Sequence, residues 1–326
     1  MDLDQIFLDW SSSIDLLKTR IIRFPSLVLL CGGPTSENGA KRKSCRDIFL
    51  KYLDKNKIGF FPNVIRAEEV FRYFEHASYT DLIRFEQDLA ELSALTVIFS
   101  ESPGSIAEFG SFAVMTNIQD KLLVVMNQED THQESFIWRG PALHLTELAK
   151  NNGMVNPISI YKWSNRSRVL GRQKSDFSDA QDLVELIESL LKLYPNSESV
   201  DANKLGHGMI IIIEILRIVQ PATLDEIHQL LLKLGISWEL QEFKQRISLL
   251  TSLDLVTRLP YSNNVYYFSS SEIPWVTWGY ETTAKFRDYM RWRTLFIENY
   301  KMHQPRKTRA LSSHLKATEQ IGDSSK

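Results

Sequence analysis

The sequence predicts a doubly wound α/β fold with a five-stranded parallel sheet, followed by a winged helix-turn-helix domain. Three observations predict it. Short apolar runs without alternation recur five times, with helix-like segments between them. The first and third of these runs open into loops with unusual glycine content. After residue 208 the pattern changes to three short helices and a hairpin.

Leu3, Ile6, Phe7, Trp10, Ile14, Leu17 and Ile21 recur at helical spacing, so an amphipathic helix opens the chain, and Pro25 stops it. Ser26 to Cys31 is the first buried strand and runs into Gly32-Gly33-Pro34. A helix over about 40–56 leads to a second strand at Ile58–Pro62. A helix over about 79–93 leads to the third at Leu95–Phe99. Helices near 106–118 and 142–151 precede strands at Lys121–Met126 and Pro157–Tyr161. Right-handed crossovers then stack the strands in parallel, and ligands bind beyond their carboxyl ends.

Residues 1–165 are assigned to this domain, N-terminal helix included, and 166–207 to a linker with one leucine-rich helix, Gln181–Tyr194. Helices at 209–219, 224–234 and 238–253 and strands Leu255–Leu259 and Val265–Phe268 form the winged helix, residues 208–270. A basic aromatic helix and a polar end complete the chain over 271–326, with 304–326 expected to be disordered.

Net charge is −2, so the whole molecule is not an obvious polyanion binder. The charge is uneven. Val276 to Ala317 carries nine Lys or Arg against three acids, which leaves −8 for the remainder. Two cysteines, Cys31 and Cys45, cannot staple 326 residues and fit a reducing compartment. Met1-Asp2-Leu3-Asp4 carries acids where a signal peptide needs positive charge, so none is expected, and the run Met209–Val219 is broken by Glu214 and Arg217. A cytoplasmic protein with no membrane association is expected. His76, His132 and His144 share no metal-ligand spacing, and no metal is expected.

The informative stretch is Glu101-Ser-Pro-Gly-Ser105-Ile-Ala-Glu108. A Gly104-Ser105 turn at a strand end, opening a helix, leaves backbone N–H groups free for a phosphate or sugar oxygen. Glu108 then falls in the first helical turn, where the dipole favours its charged form. Ser105-x-x-Glu108 is also capping-box spacing, so a cap and a nucleophile for an anomeric carbon both stand as readings of Glu108. Glu86 is either a ribose-hydroxyl ligand or a solvated helix carboxylate. Cys31 reads as a small buried hydrophobe.

Leu30-Cys31-Gly32-Gly33, Glu86, Glu101-Ser-Pro-Gly-Ser-x-x-Glu108-x-Gly110-x-Phe112 and Ser135-Phe-Ile-x-x-Gly140-Pro141 stand in order along the first domain. In these motifs the chain resembles bacterial retron effectors that fuse a nucleoside 2-deoxyribosyltransferase-like domain to a C-terminal winged helix. The resemblance implies a flavodoxin-like, deoxyribosyltransferase-like α/β domain. It implies Glu108 as the catalytic carboxylate, with Gly32, Gly33, Glu86, Glu101, Ser102, Gly104 and Ser105 lining the pocket. It implies a toxin held silent by a reverse transcriptase and its DNA–RNA hybrid until phage infection, then degrading NAD or a related nucleotide. No cofactor is implied beyond that substrate. A homo-oligomer or larger complex is expected, since such domains commonly build pockets across subunits.

One departure bears on the substrate. True deoxyribosyltransferases place aspartates in this pocket to help a neutral base leave, whereas here stand Glu101 and Ser102, with Ala94 before the third strand. That suits a leaving group needing no proton, such as the cationic nicotinamide of NAD. A metabolic deoxyribosyltransferase or nucleotide N-glycosidase, and a non-catalytic nucleotide sensor with a DNA-binding winged helix, are the alternatives.

The presumptive recognition helix balances Lys244 and Arg246 against Glu239 and Glu242, a poor set for a major groove. In the following helix Lys285, Arg287, Arg291 and Arg293 interleave with Phe286, Tyr289, Trp292 and Phe296. That suits a nucleic-acid backbone with stacked bases, or an amphipathic helix packing its aromatics on the winged domain. With the resemblance, those four cations are the residues expected to touch the reverse transcriptase or its DNA–RNA product.

Overall fold

The computed structural model describes residues 2–36, 44–66, 68–70, 79, 81–127, 131, 134–151, 160–163, 176–193 and 197–324. The chain divides into two compact units. One is Pro25–Arg72 with Asp81–Pro195; the other is Met1–Phe24 and Tyr73–Thr80 with Asn196–Lys326.

The first unit holds five parallel strands: β1 (Val28–Cys31), β2 (Val64–Arg66), β3 (Leu95–Phe99), β4 (Leu122–Asn127) and β5 (Ile160–Trp163). Their order across the sheet is β2-β1-β3-β4-β5, with Val28 opposite Leu95 and Val124 opposite Ile160. The chain therefore steps outward from β1 in one direction and then in the other. That reversal leaves a crevice outside the carboxyl ends of β1 and β3. Helices α1 (Cys45–Lys55), α2 (Leu82–Leu92), α3 (Pro103–Phe112), α4 (Leu143–Asn151) and α5 (Asp176–Leu193) complete the α/β unit.

β1, β3 and most of β4 are buried along both alternating faces, which explains their unbroken apolar runs. One face carries Val28, Leu30, Val97, Phe99, Leu123 and Val125. It packs against Ile48, Phe49 and Leu53 of α1 and Leu183, Ile187 and Leu190 of α5. The leucine-rich helix taken for a connector is thus part of this core.

Two strands shift from their expected places. Pro62 sits in a 3-10 turn, Phe61–Asn63, and the strand begins after it at Val64, where the sequence offers β-branched residues. The fifth strand begins at Ile160; residues 152–159, where most of it was expected, lie outside the described residues, as does most of the 164–178 linker.

The second unit is built on α6 (Leu205–Val219), α7 (Leu224–Lys233) and α8 (Leu240–Ser252), followed by an antiparallel hairpin, β6 (Val256–Tyr261) and β7 (Asn264–Ser269). This is the element order the sequence announced. α6 is apolar all round and almost wholly buried, and its Glu214 and Arg217 are buried against each other. α9 (Tyr289–His303) and α10 (Pro305–Ser324) follow. The polar end expected to be disordered is therefore helical to Ser324. Ala310 and Leu311 of α10 pack on Tyr266, Phe268, Leu259 and Tyr261 of the hairpin, and this apolar contact gives the segment its reason to fold.

The N-terminal helix, Leu3–Ser13, belongs to this second unit and not to the α/β domain in which the sequence placed it. Its aromatics decide the matter: the Phe7 ring lies 5.3 Å from Phe296, and Trp10 meets Trp278 edge-on at 5.6 Å. Arg20–Ile21 then pairs with Glu198–Ser199 on one side and Val276–Thr277 on the other. Among the described residues, no helix is long and apolar enough to cross a membrane.

Candidate active site

β1 delivers Cys31 to the crevice, and the chain turns away through Gly32-Gly33. Both positions need glycine because other atoms occupy the space a side chain would take. A Cβ on Gly32 would lie 2.8 Å from Phe99 Cβ, and one on Gly33 2.8 Å from Ser44 Cβ and 3.0 Å from Glu101 Oε1. Ser44 caps α1, accepting the Asp47 N–H at 2.9 Å.

Glu101, at the end of β3, completes that cap from a distance. Its carboxylate accepts the backbone N–H groups of Cys45 (2.6 Å), Arg46 (3.0 Å) and Gly33 (3.2 Å). This is the site a helix N-terminus offers to an anion, here filled by the protein itself. Glu101 is therefore a structural bridge between loop and helix. Arg46 is buried, and its guanidinium donates to the carbonyl oxygens of Gly33 (2.8 Å) and Leu30 (3.3 Å) and to both oxygens of Glu68 (2.9 and 2.7 Å).

α3 begins at Pro103, and its capping box is closed by Ser102 and Ser105. Ser102 Oγ accepts the Ser105 N–H at 3.2 Å, and Ser105 Oγ accepts the Ser102 N–H at 3.0 Å. The Ser105-x-x-Glu108 pair expected as a possible cap is not one. Glu108 lies in the second turn of α3, past the reach of the N-terminal dipole, and takes no part in capping.

Glu108 instead faces an open cleft of about 470 Å³. Cys31, Gly32, Pro34 and Thr35 form one wall, Arg46 and Glu68 another, and Glu86 of α2 joins Glu108 to complete it. The volume suits a small-molecule ligand. One carboxylate oxygen of Glu108 is buried without a hydrogen-bond partner, and the Cys31 thiol hydrogen-bonds the side chain.

Besides Glu68, which pairs with Arg46, Glu86 and Glu108 line this cleft, and both of these hold a proton more tightly than an ordinary carboxylate. Burial raises the proton affinity of Glu108 above that of an ordinary carboxylate, and the Cys31 hydrogen bond and the Arg46 charge offset only part of the rise, to which the charge of Glu68 adds. Glu86 is only 9% exposed, and burial, then the charge of Glu108, push it up to about 7. The dipole argument for an ionised Glu108 thus gives way to a balance of burial against Arg46 and Cys31. Burial also pushes the Cys31 thiol well up, with Glu108 and Glu86 adding to the effect, so Cys31 serves as a neutral donor rather than a thiolate.

Of the residues the sequence singled out, Gly32, Glu86 and Glu108 line the cleft. Gly33 and Glu101 shape it from behind, Ser102 and Ser105 hold the helix, and Gly104 is exposed with open space around it. Sequence reasoning missed Arg46, Glu68 and Cys31. Ser44-x-x-Asp47 has the spacing of a helix start, which would have put Arg46 in the first turn of α1. His144 lies in α4, away from the cleft lining, while His76 and His132 lie outside the described residues.

The basic residues of the second unit divide. Trp292, Phe296 and Tyr300 are buried at or below 1% exposure, and Tyr300 Oη donates to the Val219 carbonyl at 2.6 Å. Of the four interleaved aromatics, Trp292 and Phe296 are therefore core, as the packing alternative expects, while Phe286 and Tyr289 are half-buried. Arg293 pairs with Glu272 at 2.7 Å. Lys285, Arg287 and Arg291 remain exposed; Arg291 lies over Phe286 at 3.9 Å, and Arg287 donates to the Thr282 carbonyl at 3.0 Å. On α8, Arg246 is buried over the Trp238 ring, leaving Lys244 as its exposed cation.

Fold and site together define an α/β protein with a paired-carboxylate cleft at the carboxyl ends of its central strands. The chain belongs to the STM3845 retron effector protein family, whose profile matches residues 42–258. It is similar to two Escherichia coli proteins whose names ascribe to them ribosyltransferase and DNA-binding character. It is 31% identical to that of retron Ec73 over 131 residues, 39% of this chain and 40% of that one. It is 28% identical to that of retron Ec86 over 114 residues, 35% of each. The matched segments thus span well under half the length of either relative.

Proposed function

We propose that this retron effector cleaves an N-glycosidic bond, that NAD is the substrate, and that Glu108 is the carboxylate presented to the ribose C1′. The observation that carries the reading is the position of Glu108. It has been relieved of capping by Ser102 and Ser105, it lies on the wall of a ligand-sized cleft, and one of its oxygens is buried and unpartnered. A sensor in which Glu108 serves only as a cap loses its basis.

In the proposed reaction the C1′–N bond breaks and its electron pair neutralises the cationic ring nitrogen of the departing nicotinamide. Glu108 attacks or stabilises C1′ as positive charge develops there. Water then adds at C1′ and yields a proton to the carboxylate pair. Glu101 is engaged by three backbone N–H groups and Ser102 by a cap, which supports a leaving group that needs no proton from that loop. Glu86, near pH 7 in affinity, favours a second reading: it has a proton to give, so a nucleotide with a neutral base is the competing substrate.

The second unit is read as a winged helix-turn-helix whose role is protein contact, given the single exposed cation of α8. Lys285, Arg287 and Arg291 are the surface proposed to meet the reverse transcriptase or its DNA–RNA product, which hold the effector silent in the cytoplasm. The test is to incubate purified protein and its Glu108→Gln variant with NAD and, separately, with deoxynucleotides. We expect NAD loss and nicotinamide release by the wild type, reduced at least about a thousandfold in the variant. Undiminished turnover in Glu108→Gln rules the role out.

A further inference from the structure

A second cleft, of about 350 Å³, adjoins the first, and Thr35 is a wall of both. It runs between α1 and β2. Leu50, Phe61 and Val64 give it an apolar side, and Lys51, Arg66 and Asp54 give it polar groups.

The charges here are not those of a simple phosphate trap. Lys51 hydrogen-bonds Ser36 Oγ at 2.5 Å and Asp47 at 3.2 Å, while Arg66 pairs with Glu69. Carboxylates outnumber cations in the lining, so a bare anion gains little. The mixture does fit a nucleotide. A base packs on the Phe61 ring and aliphatic wall, a carboxylate accepts ribose hydroxyls, and Lys and Arg groups already held in place meet a phosphate. Each cleft has the volume of a small-ligand site, and a shared wall at Thr35 lets one molecule span both.

We propose that the second cleft binds the nucleoside-phosphate half of a dinucleotide whose other ribose lies at Glu108. The inference rests on the reading of the first cleft as the glycosidic site, and it favours a dinucleotide over the competing mononucleotide with a neutral base. Phe61 and Asp54 are then specificity-determining residues that never touch the scissile bond.

The test is calorimetric titration of the full-length protein with adenosine monophosphate, and with inorganic phosphate as a second probe. Wild type and Glu108→Gln should bind the nucleotide alike, because that carboxylate belongs to the other cleft. Phe61→Ala should weaken binding about tenfold, the scale of one lost stacking contact, and Asp54→Asn should weaken it several-fold. Absence of nucleotide binding overturns the proposal, as does binding unchanged in both variants. Phosphate binding as tightly as the nucleotide also overturns it, since base and ribose would then contribute nothing. Should Phe61→Ala fail to fold, Asp54→Asn and Arg66→Gln carry the same comparison. The probe has no glycosidic bond to a cationic base, so the outcome separates this subsite from the reading of Glu108. NAD cleavage without nucleotide binding leaves that reading intact and removes the subsite.

Discussion

Arg46 and Glu101 meet through the backbone rather than through their charges: the Arg46 amide N–H donates to Glu101 Oε1 at 3.0 Å, while its guanidinium turns to Gly33 and Glu68. Glu101 ties the glycine loop to the start of α1, and Arg46 ties the start of α1 to the floor of the cleft. Glu101→Ala leaves three backbone donors without their acceptor. We expect a loss of about 2–3 kcal/mol in denaturant unfolding, with Glu101→Gln recovering part of it. An unchanged midpoint for Glu101→Ala means solvent replaces the carboxylate without cost.

Gly32 tolerates no side chain. Its Cβ would press on Phe99 Cβ, a backbone-anchored atom with nowhere to go. Gly32→Ala should lower stability by about 2 kcal/mol and distort the cleft wall. Gly104→Ala, in open space at the start of α3, serves as the control and should leave the melting temperature nearly unchanged.

Glu86 predicts a specific pH dependence. In the unfolded chain its carboxyl loses its proton near the ordinary value of 4.5, but the folded protein holds it to about 7. Between those values the folded state binds more protons, so stability falls as pH rises through this window. Glu86→Gln removes the effect. The variant should match wild type below the window and exceed it above by up to about 3 kcal/mol. Urea unfolding across that range checks it, and a pH-independent difference between the two proteins counts against it.

The exposed cations make a separable prediction. Reversing the charge of Lys285, Arg287 and Arg291 should weaken the proposed assembly with a reverse transcriptase and its DNA–RNA product and flatten its salt dependence, while thermal stability stays put. Arg293→Glu is a poorer probe, because it sets a new acid against Glu272. Co-purification at two salt concentrations reads the result. Intact assembly in the triple variant places the contact elsewhere.

What could be read in advance followed burial. β1, β3 and β4 are enclosed on both faces, so their apolar runs were plain, and their strands fell within two residues of expectation. β2, at the sheet edge and only partly buried, has no such signal; the apolar Phe60-Phe61 beside it drew the assignment early, by six residues at its start and four at its end. The N-terminal helix showed its period as far as Trp10 but ends at Ser13 rather than at Pro25, with Leu17 in a 3-10 turn and Ile21 in a strand. Its partner was hidden because Phe7 finds Phe296 across nearly the whole chain. The site was legible where a motif was local, as for Glu108 and the two glycines. It was not where the cleft is shaped by a distant bond: nothing near Glu101 says that its carboxylate ends on Cys45 and Arg46.

The second unit draws on segments far apart in sequence, with Leu3–Ser13 seated on aromatics from beyond residue 270. During synthesis this imposes an order. Every described strand of the carboxylate-bearing domain has left the ribosome before the partners of Phe7 and Trp10 are made. The strands of the cleft are thus available to pair before the rings that cover Phe7 and Trp10 exist.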